Sequence, residues 1–235
     1  NAIKRNKLLT KMKREKQQMV FWQETHLCDE EHEKLKRFGF KNTYYSSFGR
    51  KQTRGVAILI SNKVTFQFSK QLTDTEGRYI LVKGQIDQKP VTLLNVYRPP
   101  GNDKIFIKKI FDIIAEETSG VLICGGDWNV QLQPSLDSSN LTKRTNPETV
   151  TVKKLLHEAG LMDIWRKTHP TERQFTFFSH PHSVHSRIDY FFMFNFDRHR
   201  ITQCDIGVKD VSDHGGVYLS LHLDTEVKNT TWRLN

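Results

Sequence analysis

The residues of this 235-residue sequence best placed to do chemistry are an aspartate and an asparagine two positions apart, Asp127 and Asn129. They follow the apolar run Val121-Leu122-Ile123-Cys124 and the pair Gly125-Gly126. The run reads as a buried strand, and the glycines let the backbone turn at its end, where a side chain would crowd. In an extended segment, positions i and i+2 point the same way. On that basis the carboxylate and the carboxamide project together past the strand end, where α/β proteins place their sites. An Asx-type turn, with both side chains bonded only to backbone, is the equal alternative on this stretch alone.

Other polar groups fall at comparable places. Glu24 follows the apolar run Met19-Val20-Phe21-Trp22. Tyr97 closes Val91–Tyr97, and the Arg98-Pro99-Pro100-Gly101 stretch after it cannot continue a strand. Asp189 opens an aromatic strand, Tyr190-Phe191-Phe192, where a buried carboxylate needs a partner. Ser212-Asp213-His214 lies in a turn before Val217–Leu221, and a histidine there suits general-base work. Taken singly, each has an ordinary reading: a cap, an edge tyrosine, a polar turn. His180, His182 and His185 have a ligand-like spacing, but nothing else in the sequence supports a metal there.

The elements that must position these groups follow from periodicity. Residues 3–18 read as a basic amphipathic helix and 29–38 as a short helix ended by Gly39. Strands are expected at 44–47, 55–60, 66–68, 79–82 and 91–97, antiparallel because no helices intervene. Residues 103–118 form a helix with Phe106, Ile107, Ile110, Phe111 and Ile114 on one face. Residues 134–148 read as a polar loop, 149–159 as a helix and 161–166 as a packed helical turn. Phe175–Ser179 and Arg187–Phe192 read as strands, and 224–235 as a polar tail.

Composition narrows the class. Hydrophobic residues make up 37% and aromatic residues 11%, which excludes a disordered chain. No apolar run approaches the ~20 residues that span a bilayer. Three cysteines without CxxC spacing, Cys28, Cys124 and Cys204, speak for a reducing compartment and against a zinc site. Lys and Arg total 36 against 26 Asp and Glu, a formal charge of +10 that points to a polyanion, nucleic acid first. The oxygen-rich set at the strand ends suits Mg²⁺ or Mn²⁺. With a basic surface it fits metal-assisted phosphodiester hydrolysis.

The motifs in order are Gln23-Glu24-Thr25, Glu76-Gly77-Arg78, Asn95-Val96-Tyr97, Gly126-Asp127-Trp128-Asn129, Ser186-Arg187-Ile188-Asp189-Tyr190 and Ser212-Asp213-His214. Together they resemble the endonuclease/exonuclease/phosphatase family, most of all the apurinic-like endonuclease domain of LINE-type retrotransposon reverse transcriptases. The resemblance covers residues 1–223. It implies a four-layered α/β/β/α sandwich of two packed mixed β-sheets and a Mg²⁺-dependent nick in DNA that leaves a 3′-hydroxyl. Mn²⁺ is the alternative metal.

By the same resemblance Glu24 ligates the metal and Asp213 supports it. Asp127, held by Asn129, positions or activates water or protonates the leaving group. His214, paired with Asp189, contacts the phosphate or acts as base. Tyr97 holds the phosphate, and Thr176 and Ser212 sit at the DNA face. Arg50, Lys51 and Arg54 are assigned to phosphates from charge alone. The implied setting is a monomer acting in the nucleus or cytoplasm, off the membrane, within a longer reverse-transcriptase polyprotein. The other readings are a catalytically inactive nucleic-acid-binding remnant and a repair-type apurinic endonuclease or exonuclease. The family's opening strand, with an asparagine in Asn-x-Asn-Gly, has no counterpart here, so the chain is read as starting after it. Trp128, Arg98 and Gly215-Gly216 also depart from the usual pattern.

Overall fold

The computed structural model describes residues 2–49, 53–101, 103–140, 146–210 and 212–224. Its centre is the strand Val121–Asp127 (β7), buried at every position, as a strand covered on both faces must be. β7 lies in a six-stranded sheet of order β4-β5-β6-β7-β11-β8. The neighbours are Phe66–Thr73 (β4), Tyr79–Ile86 (β5), Lys89–Tyr97 (β6), Leu161–Asp163 (β8) and Asp189–Phe194 (β11). β6 and β7 run parallel, joined by the helix Lys104–Glu117 (α3), and the other pairs of this sheet are antiparallel.

Period-two alternation sorts the two faces of this sheet. Leu94, Val96, Leu122, Cys124 and Phe192 face α3 and the helix Pro147–Glu158 (α5). Val91, Leu93, Ile123 and Met193 face a second β-layer. That layer holds the sheet β1-β3-β2, made of Met19–Trp22 (β1), Asn42–Ser47 (β2) and Gly55–Ile60 (β3). It also holds the hairpin of Ile201–Ile206 (β12) and Val217–Leu221 (β13). The helix Ala2–Arg14 (α1) covers the outer face of the second layer through Leu9, which is 1% exposed. The helix Asp29–Lys34 (α2) and the 3₁₀ turn after it complete that layer, and Gly39 ends the turn at φ 91°, as expected. The order is therefore helix, sheet, sheet, helix.

Several local expectations change. The first helix ends at Arg14, not near residue 18. Within the loop expected over 134–148, Pro134–Asp137 (α4) is a helical turn whose Asp137 is fully buried. The helical turn expected at 161–166 is divided. Leu161–Asp163 pairs with Phe192–Phe194 as a strand, and only then does Ile164–Thr168 (α6) coil, capped by Asp163. Sheet pairing, invisible to local pattern, overrides propensity there. Phe177–Ser179 (β9) pairs with Val184–Ser186 (β10), a strand that periodicity does not indicate; β12 is a second such strand. The expected tail falls outside the described residues beyond Asp224.

Candidate active site

Strand parity builds the site. Tyr97, Asp127 and Asp189 lie side by side on β6, β7 and β11: Tyr97 pairs with Asp127, and Asp127 with Asp189. Each belongs to the alternation that faces the second β-layer, so three side chains from distant parts of the sequence emerge at one rim between the sheets. Gly126 makes the approach of β6 and β7 possible. A Cβ there would stand 1.9 Å from the Val96 carbonyl oxygen, and its φ of +146° is one that side-chain-bearing residues rarely adopt.

Past the strand end the chain turns. Asn129 adopts φ 48°, its N–H donates to Asp127 Oδ1 at 2.9 Å, and its Nδ2 donates to Asp127 Oδ2 at 2.9 Å. The Asx turn and the functional juxtaposition thus coexist. The carboxamide reaches the carboxylate through a left-handed turn, not through the extended i, i+2 geometry the sequence suggests.

His214 arrives from the loop before β13, bridged to Phe177, whose ring centre is 4.7 Å away. Its Nδ1 meets both oxygens of Asp189, at 3.1 and 3.0 Å. One ligand-type atom from each of Asp127, Asp189 and His214 lies within 4.8 Å of the others.

The electrostatics follow from this crowding. Burial and the neighbouring Asp189 carboxylate raise the Asp127 pKa well above the usual carboxylate range, and Glu24 adds to this. Burial alone would lower the His214 pKa, but Asp189 overrides it and brings it up to about 9. His214 is therefore an imidazolium at neutral pH. Tyr97 is 7% exposed, and burial followed by its hydrogen bond to Glu24 pushes its phenol far above the ordinary range. The carboxyl groups of Asp127 and Asp189, with Glu24 near enough to raise the Asp127 pKa, form a hard-oxygen set of the kind a divalent cation takes.

Glu24 lies against Tyr97 at φ 48° and outside the Asp127–Asp189–His214 cluster. Asp213 sits on the His214 turn, accepting from Ser212 Oγ at 3.0 Å, and is also outside that cluster. Arg54 pairs with Glu76 at 3.1 Å and lowers the Tyr97 pKa electrostatically, so it reaches the rim. Arg50 and Lys51 lie outside the described residues. Thr176, expected at the DNA face, is instead fully buried. Its Oγ1 accepts from the N–H groups of Ile188 and Asp189, so it fixes the start of β11 rather than facing solvent.

The motifs also contain supporting groups to which the sequence assigned no role. Asn95 is wholly buried and donates to the carbonyls of Trp22 and Ala57 in the other sheet. It also accepts from Gln23 Nε2 at 2.6 Å, which ties the approach to Glu24 to β6. Arg187, buried, bonds Asp137 and, with two nitrogens, Asp163. An arginine next to an apolar strand was the available sign. A cavity of about 500 Å³ opens at the triad and runs between β1 and β13, with α1 residues Leu8 and Met12 on one side and Phe191 on another. A second cavity, of about 520 Å³, lies beyond Asn129 and is lined by Gln131, Asn146, Phe177, His182 and Ser186.

Comparison with known proteins agrees with this architecture. The profile of the endonuclease/exonuclease/phosphatase family matches residues 3–214. An AP endonuclease from Archaeoglobus fulgidus superposes with a TM-score of 0.71 at 22% identity, covering 91% of this chain and 92% of that one. The Xenopus laevis APE2 catalytic domain superposes with a TM-score of 0.73 at 19% identity, covering 91% and 86%. The Leishmania major AP endonuclease LMAP gives 0.70 at 17% identity, covering 92% and 81%. At these identities the likeness is one of fold.

Proposed function

Because this chain belongs to the endonuclease/exonuclease/phosphatase family, we propose that it hydrolyses DNA phosphodiester bonds, nicking one strand to leave a 3′-hydroxyl. The observation that carries the reading is the convergence of Asp127, aimed by Asn129, with the Asp189–His214 pair at one strand-end rim.

Each group has work that suits its state. Asp189 holds the His214 Nδ1–H, which orients the imidazolium and leaves Nε2 to donate to a non-bridging phosphate oxygen as charge builds there. Asp127 orients water for in-line attack at phosphorus and takes its proton, while the P–O3′ bond breaks and the 3′ oxygen gains a proton. A carboxyl whose pKa burial has raised can equally deliver that second proton, so its two roles differ only in timing. Tyr97 and Arg54 steady the phosphate, and Ser212 flanks it. Glu24, beside Asp127, would hold Mg²⁺, with Mn²⁺ as a substitute and Asp213 in support; the ion when bound would supply polarisation of the phosphate.

β3 pairs with one edge of β1, and no strand among the described residues pairs with the other. The retroelement setting, monomeric state and nuclear site of action belong to the same proposal. No helix among the described residues is long and apolar enough to cross a membrane.

The test is plasmid nicking with Mg²⁺ by wild type and Asp127→Ala; equal nicking by both refutes the reading. A repair-type reading is favoured by the second cavity beside Asn129, large enough to receive an extrahelical sugar. An abasic duplex assayed beside an undamaged one separates the two. Salt-sensitive DNA binding without nicking identifies an inactive binding remnant.

A further inference from the structure

Arg98 combines complete burial with an ordered set of partners at the back of the Asp127–Asn129 turn. Its backbone N–H donates to the Asp127 carbonyl at 2.8 Å, and its carbonyl accepts from Asn129 Nδ2 at 2.9 Å. Its guanidinium is 0% exposed. Nη1 donates to the Trp128 carbonyl at 3.1 Å and, more weakly, to that of Asn129 at 3.4 Å. Nη2 donates to the Gly101 carbonyl at 2.8 Å and to Glu148 Oε2, from the first turn of α5.

These contacts fall on a strained part of the backbone. Asn129 is a non-glycine residue at φ 48°. Such a conformation is unfavourable for a residue with a side chain and persists only where the surroundings determine it. The turn directs the Trp128 carbonyl inward, where water cannot satisfy it, and an unmet buried carbonyl is costly. A planar fork with several fixed donors can meet carbonyls and a carboxylate at once; an ammonium cannot hold that geometry. Glu148 supplies the counter-charge that lets a cation sit there.

We propose that Arg98 is a positioning residue: held by Glu148, it fixes from inside the protein the turn that aims Asp127 and Asn129. It touches no substrate. The catalytic consequence rests on the nuclease reading above, while the positioning claim does not.

The experiment pairs hydrogen exchange with kinetics on Arg98→Lys, which keeps the charge, and on Arg98→Met/Glu148→Gln, which removes both charges together. Exchange of the Trp128 and Asn129 amides is expected to rise about tenfold or more in Arg98→Lys, with the β5 amides unchanged. Unchanged exchange at the turn overturns the proposal whether or not the wild type nicks DNA. Equal acceleration at the turn and in β5 means general loosening and also overturns it. With nicking in hand, kcat is expected to fall about 10- to 100-fold while KM stays within about twofold. Millimolar guanidinium is expected to restore part of kcat in the single variant Arg98→Met, where Glu148 remains to hold it, and none in Arg98→Met/Glu148→Gln. Equal rescue of the two overturns the part given to Glu148. A folded Arg98→Lys with wild-type kcat refutes the catalytic consequence. If the double variant does not fold, Arg98→Lys decides alone.

Discussion

Replacing Asp189 with Asn tests the electrostatics of the site most directly. In the wild type the imidazole of His214 meets both Asp189 oxygens and its pKa stands at about 9 against an ordinary 6.5. That difference is about 3 kcal/mol, at about 1.4 kcal/mol for each tenfold in proton affinity. The His214 side chain is 27% exposed, and solvent screening reduces the usable part to about 2 kcal/mol. Because the folded pKa is the higher one, this stabilisation is complete below pH 6.5 and is lost as pH rises through about 9. In Asp189→Asn only burial, which lowers the pKa, and weaker neighbours remain, so His214 titrates near or below its ordinary value. Urea unfolding of the metal-free protein between pH 6 and 9.5 reads the effect, with NMR of the His214 ring as a second probe. The wild type is expected to lose about 2 kcal/mol over that range relative to Asp189→Asn. Parallel stability curves for the two proteins, or a wild-type His214 that titrates near 6.5, would refute the reasoning.

Three further outcomes are expected. Asp127→Asn keeps the side-chain volume and one of the two bonds from Asn129 but removes the proton-accepting group, so nicking falls about 10²- to 10⁴-fold in plasmid assays with little change in DNA affinity. Gly126→Ala places a methyl group against the Val96 carbonyl and forces a disallowed φ, lowering stability by at least about 3 kcal/mol in urea titrations. Thr176→Val leaves the Ile188 and Asp189 amides without their shared acceptor, costs about 1–3 kcal/mol, and slows nicking through movement of Asp189.

Much of this protein is determined by residues read locally. The apolar runs at 121–124 and 91–97 are strands because nothing polar interrupts them, and Gly126 and Pro99-Pro100 bound them by backbone geometry. The striped helix at 103–118 needs no tertiary information either. The candidate polar groups stood out because each sits at or beside a strand end. Their motif order was enough to identify the family and, through it, the layered sandwich.

What required tertiary structure is everything that depends on which strand lies beside which. Residues 161–163 are a strand only because β11 offers them an edge. That Tyr97, Asp127 and Asp189 occupy one row follows from the registers of β6, β7 and β11, which no local pattern encodes. Thr176 looked like a surface hydroxyl and is a buried acceptor, because the chain folds over it. Arg98, in a stretch that only ends a strand by local pattern, is enclosed behind the Asp127–Asn129 turn, where only the approach of α5 brings Glu148 to neutralise it. Sequence settles residue types and strand ends, since those are local properties of side chain and backbone. The packing of distant segments decides proximity, burial and charge state, because desolvation and pairing exist only once the layers have met.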